Sequence, residues 1–309
     1  MMNNPSLHVI IAGGSGLLGR HLAAGLVAAG GRVTVLSRRP GQIDADGITG
    51  AEWDGHSLGP WAACLEGAAA VINLTGKNVD CRYDAAALAE INASRVDSVR
   101  VLDAALLACR QPPPVLIQAA STAIYGDAGN QPCAEDTPAG DGIPPETCVR
   151  WEAAVAAMRA PVRRVVLRIS FALATDGGAL ARLERLTRCF LGGAIGSGRQ
   201  WISWIHIADL VSLIRRAIAD PTMAGIYNAT APDPRPNADF MRALRRALGR
   251  PWAPPTPALA VHLGCWLMRT EPVLALTGRR AIPQRLLGEG FAFAHPDLDQ
   301  ALAALYPRR

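Results

Sequence analysis

Three glycines, Gly14, Gly16 and Gly19, stand in AGGSGLLGR, directly after an apolar run and before residues of helical spacing. In that setting each has its own task. The first permits a tight turn, the second lets backbone approach a pyrophosphate, and the third lets helix pack closely on strand. The helix that follows offers unpaired N–H groups and the positive end of its dipole to the phosphates. Gly13, Ser15, Leu17 and Leu18 complete the predicted loop. At the predicted end of the second strand stand Ser37, Arg38 and Arg39. An enzyme using NAD places an acidic residue there for the ribose 2′-hydroxyl. These three side chains are donors, two of them cationic, and they suit a 2′-phosphate. The expected cofactor is NADP(H).

Such a loop works only inside a βαβ unit, and the sequence supplies one. Residues 7–12 read as a strand buried on both faces, and Leu17, Leu18, His21, Leu22 and Leu26 fall at helical spacing. Gly30 and Gly31 stop that helix before a second strand. Further strands are predicted at 48–53, 69–75, 114–120, 164–169 and 226–229, with helices over 84–110 and 146–159. The alternation argues for an α/β protein with a Rossmann-type doubly wound parallel sheet. After about residue 173 the pattern changes to a helical piece (178–191), then GGAIGSGRQWISWIHIADLV, a strand, the linker APDPRP, and short helices broken by PWAPPTP. The expected division is an NADP-binding domain of residues 1–173 plus about 201–230. A smaller, mostly helical substrate-side domain takes about 174–200 and 231–309.

Composition narrows the classes. The 309 residues are half apolar and 18% charged, which fits a packed protein and excludes a disordered one. The net charge of +5 comes from scattered arginines without a basic run, so no nucleic-acid partner is expected. Seven cysteines, odd in number and without metal-ligand spacing, read as free thiols in a reducing cytoplasm, with no metal site. MMNNPSLHVII shows no export signal, and no apolar run reaches the roughly 18 residues of a membrane span. The late apolar stretch PALAVHLGCWLM, interrupted by His262, is predicted to be a buried helix.

Longer motifs add a resemblance. GGSGLLG, AASTAIYG (119–126) and SWIHIADLV (203–211) resemble an extended short-chain dehydrogenase/reductase. More narrowly, VINLTGKNV, YNATAPDP and GRRAIPQRLL resemble the atypical YfcH-like epimerase family, essentially over the whole chain. The resemblance implies that Leu74, Thr75 and Gly76 line the cofactor. It makes Ser121, five residues before Gly126, the catalytic serine. Counting back from Glu152, it sets Cys148 at the usual lysine position and Pro144 at the usual tyrosine position. Arg95, in NASRVDS, is the counterpart of an arginine typical of the subgroup.

A Tyr-x-x-x-Lys pair is impossible here, because the only lysine is Lys77 and Asn73 stands four residues before it. In the ordinary mechanism the tyrosine is the acid/base, while the lysine lowers its pKa and holds the nicotinamide ribose. Cysteine carries no positive charge and proline has no proton to give. What remains is Ser121 as hydroxyl donor, Tyr125 and Cys148 as acids, and Arg95 with Arg82 to stabilise an oxyanion. Against these stand a strand-end serine, a packed aromatic and a small buried cysteine. His206 is expected to fix a loop between the two parts, and Trp201 and Trp204 to pack. Asp54 is placed either near the adenine or in solvent. Ser170 and Arg235-Pro236 depart from the family pattern and bear on the cleft.

Two functions follow. One is an NADP(H)-dependent oxidoreductase or epimerase-like enzyme with a small-molecule substrate and a non-standard acid. The other is a non-catalytic NADP(H)-binding regulator, since the resemblance links family proteins to cell or plastid division. Monomer and homodimer both stay open; extended relatives dimerise through the helices that here span 84–110 and 146–159.

Overall fold

In a computed structural model, residues 7–42 and 45–307 are described. Seven strands form one sheet: β1 (His8–Ala12), β2 (Arg32–Ser37), β3 (Ile48–Glu52), β4 (Ala70–Asn73), β5 (Val115–Ser121), β6 (Arg163–Ile169) and β7 (Gly225–Ala229). Their order is β3-β2-β1-β4-β5-β6-β7, with every pairing parallel. The chain winds from the centre to one edge, then crosses back at β4. That reversal opens a crevice at the carboxyl ends of β1 and β4, where ligands bind in such sheets. This is the doubly wound sheet the alternation implied.

Apolar residues fill the strands continuously because both faces are covered. Val9 and Ile11 share one core with Leu22 and Leu26 of α1 (Leu17–Ala28). Ile10 and Leu36 face the other way, toward Val99 and Leu102 of α2 (Ala85–Ala108) and Trp151 and Val155 of α3 (Ile143–Ala156). Element ends differ from the sequence reading for local reasons. β4 stops at Asn73, whose Oδ1 accepts from the Thr75 N–H at 3.0 Å and turns the chain. α3 starts three residues before the predicted 146, with Pro144 and Pro145 in its first turn, where a missing N–H loses no helical bond.

The remaining helices are α4 (Gly178–Arg188), α5 (Ile207–Ala219), α6 (Asn237–Ala247), α7 (Ala258–Met268), α8 (Val273–Leu276), α9 (Gln284–Gly288) and α10 (Leu298–Leu305). A third core joins Leu180, Phe240, Leu244, Leu298 and Leu302 from α4, α6 and α10 to Trp204. Arg235, flagged for its effect on the cleft, instead pairs with Asp233 at 2.6 Å and Asp297 at 3.4 Å within this part. A two-residue parallel ribbon, Arg280–Ala281 beside Pro132–Cys133, brings the last segment of the chain to the loop beyond β5.

One expectation is corrected. PALAVHLGCWLM does form a helix, α7, but it is not buried: Leu259, Leu263, Trp266 and Leu267 are exposed, while Cys265 is buried. A stretch apolar on all sides carries no phase to tell which face packs, so its hydropathy reads as burial. Among the described residues no helix is long and apolar enough to cross a membrane.

Candidate dinucleotide and substrate site

The loop between β1 and α1 is built by steric necessity. Gly13 turns with φ of +73°, and a Cβ there would lie 3.0 Å from the Thr75 backbone nitrogen. A Cβ on Gly14 would lie 2.8 Å from Val35 Cγ1, and one on Gly19 only 2.3 Å from the Cα of Gly14. Gly16 is different. Its φ of −74° suits any residue, and a Cβ would meet only the Gly13 oxygen at 3.7 Å. No contact inside the protein demands a glycine there, so its bareness serves a group approaching from outside. α1 starts with no side-chain cap and no acidic residue in its first turn, leaving its N–H groups for an anion.

The neighbouring loop continues this cradle. Thr75, whose backbone touches Gly13, holds its Oγ1 buried without a hydrogen-bond partner among the described residues. An orphaned hydroxyl at this place fits a ligand that supplies the missing bond. Ser37 at the end of β2 is buried, its Oγ 3.5 Å from Ser15 Oγ and accepting from the Arg39 N–H at 3.2 Å. Arg38 and Arg39 are exposed beside it, with no ion-pair partner among the described residues. The residues therefore fit a dinucleotide carrying a 2′-phosphate. Asp54 serves its own turn, accepting from the His56 and Ser57 N–H groups at 2.9 and 2.8 Å.

On the substrate side, Ser121 ends β5 and caps a short 3-10 turn, accepting from the Ala123 N–H at 3.1 Å. Its own proton stays available for donation. Tyr125 lies inside that turn and is buried. Its hydroxyl is 2.7 Å from Asn228 Oδ1 and 2.9 Å from the Ala134 carbonyl, and accepts from Arg168 Nη1 at 2.9 Å. Burial, partly opposed by Arg168, pushes its pKa up to about 12. The geometry thus matches the packed aromatic and not the proton donor.

Glu152, the reference point in α3, grips Arg168 of β6 through two bonds of 2.8 Å, with the side chains only 13% and 6% exposed. One turn earlier, Cys148 packs among Ile124, Tyr125, Cys133 and Ala281. Burial pushes its pKa up to about 11, with Glu152 adding to the rise while Arg95, Arg279 and Arg168 pull against it. At neutral pH it is a thiol, and the reactive-thiolate reading fails on desolvation.

Arg95 reaches from α2 toward this thiol. Its Nη1 donates to the Lys77 and Ile91 carbonyls at 3.2 and 3.0 Å, and its guanidinium lies 5.0 Å over the Trp151 ring. A Cβ on Gly76 would stand 3.1 Å from its Cζ, so the guanidinium abuts the cofactor-side loop. Burial lowers its pKa, with the neighbouring Cys148 and Tyr83 opposing. Arg82 does not join the group: it is exposed, its Nη2 3.5 Å from the Trp266 carbonyl. Lys77 pairs with Glu90.

His206 caps α5, its Nδ1 accepting from the Ala208 N–H at 3.1 Å, and lies 3.8 Å from the His295 ring. Burial first, then His295, lowers its pKa to about 4, so the ring is neutral and structural. Trp204 is fully buried, and Trp201 lies half-buried under the Arg280 guanidinium. Ser170 donates to the Ala229 carbonyl between β6 and β7. Two residues near the group escaped the sequence reading, Tyr83 and Arg279. Both couple electrostatically to it, Tyr83 to Arg95 and Arg279 to Cys148. GRRAIPQRLL was visible as a motif, but nothing in it showed that Arg279 acts on Cys148. A groove of about 790 Å³ on the outer face of α2 and α3 holds none of these residues except those helices' own surface, including Val96, Arg100 and Arg150.

A parallel sheet in this order, a glycine loop feeding an uncapped helix, and a second strand ending in cations define a Rossmann-type protein of the short-chain dehydrogenase/reductase class that binds NAD(P). The chain belongs to the NAD dependent epimerase/dehydratase family, which it matches over residues 9–229, while residues 256–305 match a domain of unknown function. It is 34% identical to the bovine epimerase family protein SDR39U1 over 301 residues, covering 96% of this chain and 98% of that protein. It is 30% identical to the Bacillus subtilis epimerase family protein YfhF over 305 residues, covering 98% and 99%. The crystal structure of human SDR39U1 (isoform 2) with NADPH superposes with a TM-score of 0.86 at 31% identity, covering 98% of this chain and all of that one.

Proposed function

We propose that the protein is an NADP(H)-dependent oxidoreductase or epimerase-like enzyme acting on a small molecule without a tyrosine–lysine pair. The observation that carries this reading is the desolvated Arg95 guanidinium, which abuts the cofactor-side Gly76 and acts electrostatically on the thiol of Cys148. NADPH in the human relative, together with Arg38 and Arg39, exposed and without an ion-pair partner among the described residues, supports the choice of cofactor. The loop of Gly13 to Gly19 with Leu74, Thr75 and Gly76 would hold it, and Ser37, Arg38 and Arg39 would take the 2′-phosphate.

Bound NADP(H) supplies hydride chemistry at its nicotinamide. The residues of the chain supply the rest. Ser121 donates its free proton to a substrate carbonyl oxygen, and Arg95 stabilises the charge that grows there. Cys148, protonated at neutral pH, is a much stronger acid than the alcohol formed, so it yields a proton downhill and recovers it from water. Arg95 cannot give up a proton and acts as a fixed cation.

The test pairs binding with turnover. Arg38→Ala should weaken NADPH by about ten- to a hundredfold, the worth of one charge-assisted bond, and leave NADH nearly unchanged. Equal loss for both removes the NADP(H) assignment. Turnover on a panel of small carbonyl compounds should disappear in Ser121→Ala and Arg95→Ala while NADPH still binds. Wild-type protein that binds NADPH yet turns over nothing leaves the non-catalytic regulator in place.

A further inference from the structure

Residues 175–182 form a strap that touches both walls of the dinucleotide crevice. The first wall is the glycine loop and the start of α1. Asp176 Oδ1 lies 2.7 Å from His21 Nε2, and its Oδ2 3.5 Å from Arg20 Nη2, both on α1. Arg20 in turn donates to the Ser15 carbonyl of the glycine loop at 3.2 Å. Gly177 and Gly178 pass close to Leu17, the first residue of α1: a Cβ on them would stand 3.4 and 2.9 Å from its methyl carbons. The second wall is the loop after β4. There Asp80 pairs with Arg182 of the strap and also accepts from Thr270 Oγ1 at 2.6 Å. A segment held to the loop after β1 and to the loop after β4 spans the gap between them.

The strap is anchored by apolar packing at one side and by charge at the other. Leu180 and Thr187, both fully buried, seat α4 on the substrate-side part of the chain, Leu180 within the third core. The hold on the NADP-binding half passes through the charged contacts, whose Arg182 and Asp176 side chains are 59% and 48% exposed. Pairs so solvated are weak singly, so they keep a segment in place without locking it. Between the two latches Gly178 turns with φ of +68°, a conformation that glycine adopts freely and a place where a short segment can absorb backbone change.

We propose that residues 175–182 are a gate over the bound dinucleotide, held shut by the Asp176 latch to α1 and the Arg182–Asp80 latch, and that NADP(H) enters and leaves only when the latches open. A direct contact to the ligand slows its exit and so raises affinity. A gate made from the protein's own side chains closes with or without the ligand, so it slows entry and exit alike and leaves affinity nearly unchanged. This rests on the NADP(H) reading of the crevice and is indifferent to whether turnover follows.

Stopped-flow fluorescence of NADPH gives association and dissociation rates for wild type, Arg182→Glu, Asp176→Asn and the charge swap Arg182→Glu with Asp80→Arg. Asp176→Asn should raise both rates about two- to fivefold, and Arg182→Glu about fivefold or more, with Kd within about twofold of wild type. Faster association in Arg182→Glu runs against the added negative charge, so electrostatic steering of the anionic ligand cannot produce it. The charge swap should return both rates to within about twofold of wild type. Unchanged rates in Arg182→Glu, a change in dissociation alone that appears in Kd, or a charge swap as fast as Arg182→Glu each overturns the proposal. If Asp80→Arg prevents folding, Arg182→Glu combined with Asp176→Asn decides it: both rates must exceed those of either single variant, and rates equal to wild type sink the gate. Wild type that binds no NADPH removes the cofactor reading and the gate together, whereas binding with rates that the variants leave unaltered removes the gate alone.

Discussion

The protonation of Cys148 is the sharpest quantity the site offers. Its pKa stands near 11 against an ordinary 9.0, driven by burial. At pH 8 about one thiol in a thousand is then ionised, against about one in ten for an unperturbed thiol, so alkylation slows about a hundredfold from ionisation alone. Limited access slows it further, since the residue is 4% exposed. The assay is iodoacetamide labelling of the native protein followed by peptide mass spectrometry, with glutathione as the free-thiol reference. Cys148 should lag by at least that factor, and its rate should rise about tenfold between pH 8 and pH 9, since thiolate still grows in proportion to hydroxide below the pKa. Labelling of Cys148 within about fivefold of glutathione at pH 8 would refute the argument. It would mean that Arg95 and Arg279 outweigh desolvation, and the residue would be a nucleophile instead of a proton source.

Two glycines separate the needs of the fold from those of the ligand. Gly19→Ala drives a Cβ to 2.3 Å from the Gly14 backbone, so α1 must move; both Tm and NADPH affinity should fall, the former by about 1–3 kcal/mol of stability. Gly16→Ala meets only an ordinary contact, so its melting temperature should match wild type while NADPH binding weakens; unchanged binding would remove the pyrophosphate from this loop. His206 is neutral in the fold, with a pKa lowered from 6.5 to about 4. The unfolded chain therefore takes up the proton first, and this contribution, full above pH 6.5, is lost as pH falls toward 4. His206→Asn keeps a capping acceptor for Ala208 and should flatten the acid limb of denaturation; an unaltered slope would assign that limb to other groups.

The fold was legible because its signals are local. The glycine loop, the continuous apolar strands and the amphipathic helices each declare themselves within a few residues, and the sheet follows from their alternation. What was not legible depends on partners far away in sequence. Tyr125 reads more commonly as a packed aromatic than as an acid, and its partner is hidden until Asn228, 103 positions on, is found against its hydroxyl. Arg279 stands far from Cys148 in the chain, and only the ribbon of Arg280–Ala281 with Pro132–Cys133 brings it close enough to act on the thiol. α7 shows the reverse failure, a strong local signal without the contacts to bury it.

The glutamate that allowed Cys148 to be located explains why the substitution there is tolerated. Glu152 and Arg168 form a buried, bidentate pair that ties α3 to β6, and breaking such a pair costs about 3–5 kcal/mol. That pair ties down the helix that turns Cys148 toward Ile124 and Ala281. A lysine at that position would bring its own positive charge. Here the charge comes from neighbouring elements, Arg95 on α2 and Arg279 at the ribbon, both of which act on the neutral thiol of Cys148. Those two cations pull the thiol's pKa down and desolvation still wins, pushing it up to about 11. Arginine holds its proton where lysine can relay one. On the proposed reading, then, the site keeps the electrostatics of a cationic pocket and gives up the proton relay, so every proton must pass through Ser121, Cys148 or water.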